Sequence, residues 1–220
     1  MLDSTLEPPG SIAVIGAGPL GIEAALYGRF LGYDVRLIEA ESVGHSMSGQ
    51  RDQPLPMLPD RFLSPLAVSA INAQSPDSPP LVLPTTIGDW IDNALTKITE
   101  TDLLRGRLQC PRRVTAINHL PIETDDDGND EEPLPPDFRL TIEGAEPIDA
   151  EAVVLAVGSD HNIQLGFDLP APYFFQVGQQ PTDDAEKDLL FGLKEIVGVF
   201  AALGGRETLD LYVRQLPPST

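Results

Sequence analysis

Residues 11–21 read SIAVIGAGPLG, and this stretch decides the fold of the chain. Its first five residues form a short apolar run, which is typical of a strand buried on both faces of a parallel sheet. Gly16, Gly18 and Gly21 follow with the spacing G-x-G-x-x-G. A run with helical periodicity comes next and stops at Gly32, and the strand-like run DVRLI follows it. The order strand, glycine turn, helix, strand predicts a βαβ unit.

The glycine motif has the residues that a pyrophosphate site needs. Gly16 permits the tight turn out of the strand, Gly18 lets the backbone approach a pyrophosphate, and Gly21 lets the helix pack close to the sheet. The helix begins at Pro19 and Leu20, and its first N–H groups would point at the phosphates. The segment therefore predicts a dinucleotide-binding domain of the Rossmann type.

Glu39 and Ala40 follow the second predicted strand directly. An acid at this position binds the 2′-hydroxyl group of a ribose in dinucleotide-binding domains. Its carboxylate would repel a 2′-phosphate group, which argues against NADP. We therefore predict that both residues line the ribose end of the site.

The remaining chain does not continue as alternating strands and helices. After an irregular, proline-rich stretch, a group of strands follows with no helix between them. This pattern predicts an α/β fold, with a parallel sheet, a small antiparallel β-meander and flanking helices. Helices are predicted near 66–73 and over 86–104 and 185–203, and strands over 112–118, 138–143, 150–157 and 173–177.

These patterns divide the chain into a lead, one domain and a tail. We predict a disordered lead at 1–10, a single domain at 11–205, and a tail at 206–220. An acidic run at 123–137, ETDDDGNDEEPLPPD, is predicted to be a solvated loop, because it lacks the ligand spacing of a calcium loop.

Charge and cysteine content exclude several functions. The chain has 14 basic and 34 acidic residues, and its net charge of −20 repels nucleic acid and anionic membranes. With Cys110 as the single cysteine, internal disulfides and cysteine-rich metal sites are excluded. His45, His119 and His161 lack metal-ligand spacing, so no metal is predicted. With no secretory signal or long apolar run, the cytoplasm is the expected location.

Four stretches in order resemble the FAD-binding domain of flavoproteins with two dinucleotide-binding domains. This class includes flavin monooxygenases and pyridine-nucleotide-disulfide oxidoreductases. The stretches are IAVIGAGPLGIEAA at the βαβ unit, RVTAIN around Val114, AVVLAVGS with Ala156 and Gly158, and YFFQVG ending at Gly178.

The resemblance implies FAD as the cofactor, with NAD less favoured. It implies that the backbone near Val114 borders the adenine and that Gly178 ends a closing motif on the flavin side. It also implies that His45 lies near the cofactor cleft. Many members have Asp after the closing glycine to bond the ribityl chain. Gln179 stands there in this chain, and an amide can still make that hydrogen bond.

The chain departs from that class between Gly158 and the closing motif. A second, pyridine-nucleotide domain lies there in the class, but residues 159–172 are too short for one, and no second G-x-G-x-x-G is present. The last predicted helix begins with Asp183, Asp184 and Glu186, which would oppose negative charge on a flavin if they faced it.

Three functions remain open from the sequence. The first is an FAD-dependent oxidoreductase without its own pyridine-nucleotide domain, whose partners are a small-molecule substrate or a separate reductase. The second is a degenerate, non-catalytic module that binds a dinucleotide or a partner. The third is an NAD-binding Rossmann protein. The substrate, the catalytic residues and the oligomeric state do not follow from the sequence.

Overall fold

The fold is built on two sheets. The structure is a computed structural model, and it describes residues 5–58, 61–74, 82–120, 137–159, 161–206 and 208–213. Within those ranges, helices flank a five-stranded parallel sheet, and a second sheet has four strands. The predicted α/β class, with a parallel sheet and a β-meander, is confirmed. Apart from Asp137, the predicted acidic loop lies outside the described residues.

The parallel sheet has the strand order β3-β2-β1-β7-β9, and every neighbouring pair is parallel. The central strands are almost completely buried, as their continuous apolar sequences require. Because the strands are parallel, their carboxyl ends meet at one edge of the sheet. The strands are β1 (Ser11–Ile15), β2 (Asp34–Ile38), β3 (Leu108–Gln109), β7 (Ala152–Leu155) and β9 (Phe174–Gln176).

The second sheet has the order β6-β5-β4-β8. Three of its strands form an antiparallel meander, and the short fourth strand pairs in parallel with β4. Its strands are β4 (Val114–His119), β5 (Phe138–Ile142), β6 (Ile148–Ala150) and β8 (Gln164–Leu165).

The single strand predicted at 150–157 is wrong. Ala150 ends β6 in one sheet, and Ala152 begins β7 in the other. Glu151 between them accepts hydrogen bonds from the Ser11 backbone N–H group at 2.6 Å and from its hydroxyl group at 2.9 Å. This contact fixes the point at which the chain passes from one sheet to the other.

The helices agree with the sequence predictions except at one end. A 3-10 turn (His45–Gln50) follows β2, and a π-helical turn (Ile91–Leu95) connects α3 with α4. The predicted helix 86–104 is wrong at its C-terminal end, which lies at Thr99. The hydroxyl groups of Thr99 and Thr101 bond to carbonyl groups three residues earlier, at 2.7 Å each, where the helix ends. The helices are α1 (Pro19–Phe30), α2 (Pro65–Asn72), α3 (Ile87–Trp90), α4 (Thr96–Thr99) and α5 (Ala185–Gly204).

The described parts of the lead and the tail contact the domain. The Tyr33 hydroxyl group donates to the Leu6 carbonyl oxygen at 2.9 Å. The Tyr27 hydroxyl group donates to the Leu209 carbonyl oxygen at 3.2 Å and accepts from the Leu211 N–H group at 3.3 Å. Buried tyrosines need such partners for their hydroxyl groups, and they hold both segments in place.

A buried carboxyl group connects α1 with α2. Glu23 is 1% exposed, and it accepts hydrogen bonds from the Ser64 N–H group at 3.0 Å and the Ser64 hydroxyl group at 2.7 Å. Ser64 caps α2 through the Ala67 N–H group. Burial raises the pKa of Glu23 from 4.5 to about 7, against the opposing effect of the Ser64 hydrogen bonds.

Glu23→Gln is expected to make the stability of the protein less sensitive to a rise in pH from 4.5 to about 7. Because its pKa is raised by folding, Glu23 binds more protons in the folded than in the unfolded state between pH 4.5 and about 7. The contribution of Glu23 to the free energy of unfolding is therefore fully present below pH 4.5. It is lost as the pH rises through 7, and the loss is about 3 kcal/mol. The variant should match the wild type near pH 4.5 and exceed it by up to that amount at pH 8.

Urea denaturation of both proteins from pH 4.5 to 8.5 measures this difference. Glu146→Gln, at an exposed position between β5 and β6, is the matched control and should follow the wild type. A stability difference between Glu23→Gln and the wild type that is constant over this pH range would contradict the assignment.

Candidate functional site

The glycine loop lies between β1 and α1, at the carboxyl edge of the parallel sheet. Gly16 has a φ of +101°, and a Cβ atom on Gly21 would lie 1.8 Å from the Gly16 carbonyl oxygen. These two glycines therefore serve the packing of the loop and the helix. Gly18 differs: its φ of −77° suits any residue, and a Cβ atom there would meet nothing within 4 Å. Gly18 faces open space above the sheet.

That space is a groove of about 770 Å³. It contains every residue that the sequence and the resemblance select for cofactor binding, except Gly21 and Gln179. Whether these residues bind a cofactor stays a prediction. Those that line the groove are Gly16, Gly18, Pro19, Leu20, Glu39, Ala40, His45, Val114, Ala156, Gly158 and Gly178.

Glu39 is held rigidly at one end of the groove. It is 9% exposed, and its two carboxylate oxygens accept hydrogen bonds from the Ala17 N–H group at 2.7 Å and the Glu41 N–H group at 2.9 Å. Each carboxylate oxygen has a second lone pair, so Glu39 can still accept from ribose hydroxyl groups. The carboxylate is thus positioned before any ligand arrives.

Two arginines that the sequence analysis missed stand at the same end. The Arg112 N–H group donates to the Glu39 carbonyl oxygen at 2.7 Å, which brings the segment before β4 against the end of β2. The side chains of Arg112 and Arg113 line the groove, and Arg113 forms an ion pair with Glu41. Glu39 and Glu41 line the same groove, so acidic side chains offset the positive charges of the two arginines there.

The segment between β7 and β9 forms another part of the wall. His161 and Asn162 line the groove, and neither was selected from the sequence. The Nδ1 atom of His161 is buried and has no hydrogen-bond partner among the described residues. Residues 161–163, in the described part of this link after Ser159, thus border the groove.

A second cavity of about 420 Å³ adjoins the groove. Five residues line both spaces: Pro19, Leu20, Ser46, Gly178 and Pro181. The wall of the second cavity is mainly apolar, and it is formed by the segment after β2, by α3 and by α5. Its large apolar side chains are Met47, Met57, Ile87, Trp90, Leu189 and Phe191.

Trp90 belongs both to the core and to this cavity. It is 4% exposed, and its indole N–H group donates to the Phe62 carbonyl oxygen at 3.0 Å. This core residue therefore also lines the apolar cavity.

Asp183, Asp184 and Glu186, the acids that the sequence placed at the start of α5, line neither space. Asp184 caps the helix by accepting from the Lys187 N–H group at 3.1 Å, and Glu186 pairs with Arg61 at 2.5 Å. Asp188, in the first turn of α5, and Glu195, further along the helix, line the apolar cavity. The acids of the first turn therefore differ in their position relative to the cavity.

Gln179 lies away from both spaces, and Glu195, which the sequence analysis did not select, contacts the closing glycine. The Gln179 side-chain amide donates to the Val177 carbonyl oxygen at 3.4 Å, and it lines neither the groove nor the cavity. Glu195 accepts a hydrogen bond from the Gly178 N–H group at 2.8 Å. The carboxylate next to the closing glycine thus comes from α5.

Two further residues, Cys110 and Arg51, have contacts that indicate structural roles. Burial, together with Glu39 and Glu41, raises the pKa of the Cys110 thiol, which makes it a poor nucleophile. Arg51 pairs with Asp92. The described residues contain no group of acids, histidines and cysteines that could hold a metal ion. Nor does any helix among them have the length and apolar character to cross a membrane.

Comparison with known proteins gives similar folds only. No family model matches the chain, and no curated protein does. An FAD-bound form of OTEMO is similar with a TM-score of 0.47 and 19% identity, over 70% of this chain and 26% of that one. A steroid monooxygenase bound to NADP has a TM-score of 0.49 and 20% identity, over 68% and 26%. A bacillithiol disulfide reductase from Staphylococcus aureus has a TM-score of 0.46 and 17% identity, over 80% and 47%.

The chain therefore corresponds to about a quarter of the two monooxygenase-type chains and about half of the reductase.

Proposed function

We propose that this chain binds FAD and acts as a flavoprotein oxidoreductase. One observation carries the proposal: the groove above the glycine loop adjoins an apolar cavity, and both spaces are lined by Pro19, Leu20, Ser46, Gly178 and Pro181. A dinucleotide whose second base is a large apolar ring system needs these two spaces side by side. Both volumes lie in the range of about 300–1,000 Å³ that small-molecule sites have.

The residues fit the parts of FAD in order. Glu39 and Val114 would take the adenosine, with the carboxylate accepting from the ribose hydroxyl groups. Gly18 and the first N–H groups of α1 would take the diphosphate. The apolar cavity would take the flavin ring, against Trp90 and Leu189.

FAD fits this pair of spaces better than NAD does. The nicotinamide of NAD is a single ring with a polar amide, and it would leave most of an apolar cavity of about 420 Å³ without a ligand. The flavin ring system is three fused rings, which bury more apolar surface there. The position of Glu39 also disfavours NADP as the dinucleotide of this groove.

Bound FAD would supply transfer of a hydride or of single electrons, and the protein would supply binding, orientation and electrostatics. Met47, Met57 and Phe191 would exclude water from the ring. Asp188 and Glu195 are the ionisable side chains that line the apolar cavity. Electrons would come from the substrate, from diffusing NAD(P)H or from a separate reductase, because residues 159–172 are too short to hold a nucleotide domain.

The same two carboxylates support a second candidate, a module that binds FAD without turnover. Negative charge beside the ring opposes the negative charge that a flavin gains on reduction. A protein of this kind would hold oxidised FAD and resist reduction.

Titration of the FAD-free protein with FAD, FMN and NAD tests the proposal, with flavin fluorescence and calorimetry as readouts. We expect FAD to bind at least tenfold more tightly than either other ligand, since it alone fills both spaces. Anaerobic addition of NADH, NADPH or dithionite then separates the two candidates. Reduction by any of the three reductants favours the oxidoreductase, and FAD that stays oxidised with all three favours the module. Tighter binding of NAD than of FAD overturns the proposal.

A further inference from the structure

This inference rests on the proposed function, in which FAD crosses the junction between the groove and the apolar cavity. FAD connects its diphosphate to its ring through a ribityl chain with three hydroxyl groups. That chain would cross the residues shared by the groove and the cavity, which are largely apolar or glycine. Hydroxyl groups removed from water need hydrogen-bond partners, so the junction must supply an acceptor.

Gln179, the residue next to the closing glycine, does not provide it. Its amide group is turned back to the Val177 carbonyl oxygen of its own strand end. It contributes to the wall of neither space. Among the other side chains that line these spaces near the junction, Ser46 offers a hydroxyl group and Glu195 a carboxylate, which has the larger acceptor capacity.

Glu195 has the required position and the required capacity. Its Oε2 atom accepts from the Gly178 N–H group at 2.8 Å, and Gly178 lines both spaces. A carboxylate has about four acceptor sites on its two oxygens. One hydrogen bond to the described residues is thus enough to orient it, and its other sites stay available to a ligand.

Close packing of two helices explains how α5 brings this acid to the junction. A Cβ atom on Gly192 would lie 2.4 Å from the Leu20 side chain, so glycine at this position lets the Leu20 side chain pack directly against the α5 backbone. Glu195 follows three residues later and lies on the same face of the helix. The acid is therefore presented next to Leu20 and Gly178.

We propose that Glu195 is the acceptor that binds the ribityl hydroxyl groups of FAD. It takes the part that the residue after the closing glycine takes in the class this chain resembles. In this chain the carboxylate lies on α5 and not at the strand end, and Gln179 makes only a hydrogen bond to the Val177 carbonyl oxygen among the described residues. Glu195 is a binding and positioning residue for the flavin half of the cofactor only.

Glu195→Gln and Gln179→Ala, with FAD and ADP as ligands, test this assignment. The glutamine can keep the bond to the Gly178 N–H group but loses the charge-assisted acceptor. We therefore expect FAD and FMN to bind about tenfold more weakly, with ADP unchanged because it lacks a ribityl chain. Gln179→Ala should leave the affinities for FAD and ADP as they are.

Each other outcome has a distinct meaning. Unchanged FAD affinity in Glu195→Gln, or a selective loss of FAD binding in Gln179→Ala, overturns the assignment. An equal loss of FAD and ADP binding in Glu195→Gln shows a structural role and overturns it as well. If the wild type binds ADP but not FAD, the proposed function fails, and this inference fails with it.

Discussion

Gly18→Ala is expected to abolish tight FAD binding while leaving the stability of the protein unchanged. The alanine Cβ atom meets no protein atom within 4 Å, and the backbone angles of Gly18 suit alanine. A diphosphate placed on the loop would meet the methyl group and lose at least one charge-assisted hydrogen bond to the backbone. The loss is about 100-fold in affinity, or about 2.7 kcal/mol.

Binding and unfolding must be measured on the same variant. ADP should be lost together with FAD, since both contain the diphosphate, and this distinguishes Gly18→Ala from Glu195→Gln. Gly49→Ala is the matched control, because Gly49 also has open space around its Cβ position but lines neither the groove nor the cavity. If Gly18→Ala kept the full affinity for FAD and ADP, the loop would not be the diphosphate site.

Gly21→Ala should have the opposite signature, with a large loss of stability. Its Cβ atom would lie 1.8 Å from the Gly16 carbonyl oxygen, a backbone atom that cannot turn away as a side chain can. To relieve the contact, α1 would have to move off the sheet, which disturbs the packing of Ile22 and Leu26 in the core. We expect a destabilisation of about 3 kcal/mol or more, at the upper end of overpacking in cores.

Urea denaturation measures this effect, and Gly198→Ala is the control. Gly198 lies in α5 with nothing within 4 Å of its Cβ position, so alanine there should stabilise the helix by about 0.5–1 kcal/mol. Wild-type stability in Gly21→Ala would mean that α1 does not pack on β1 as described.

The sequence predicted the parts of the site that are local. Gly16, Gly18 and Glu39 could be selected because their roles follow from their positions relative to one strand and one helix. Ala156 and Gly178 were selected through the resemblance to the flavoprotein class, which implied that their segments border the cofactor. These residues line one groove.

The sequence did not predict what arises from packing between distant elements. Arg112 reaches the groove through a backbone hydrogen bond to Glu39, and Glu195 reaches Gly178 through the close approach of two helices. Neither contact leaves a periodic or spacing signal in the chain. Strands β3 and β8 have two residues each, which is too short for a pattern.

The most direct test of the account is the visible spectrum of the purified protein, with chromatography of the nucleotide that heat releases from it. We predict a yellow protein with the two absorption bands of oxidised flavin and FAD as the released nucleotide. A colourless protein that also fails to take up added FAD would contradict the account and would favour NAD binding or a module without a flavin.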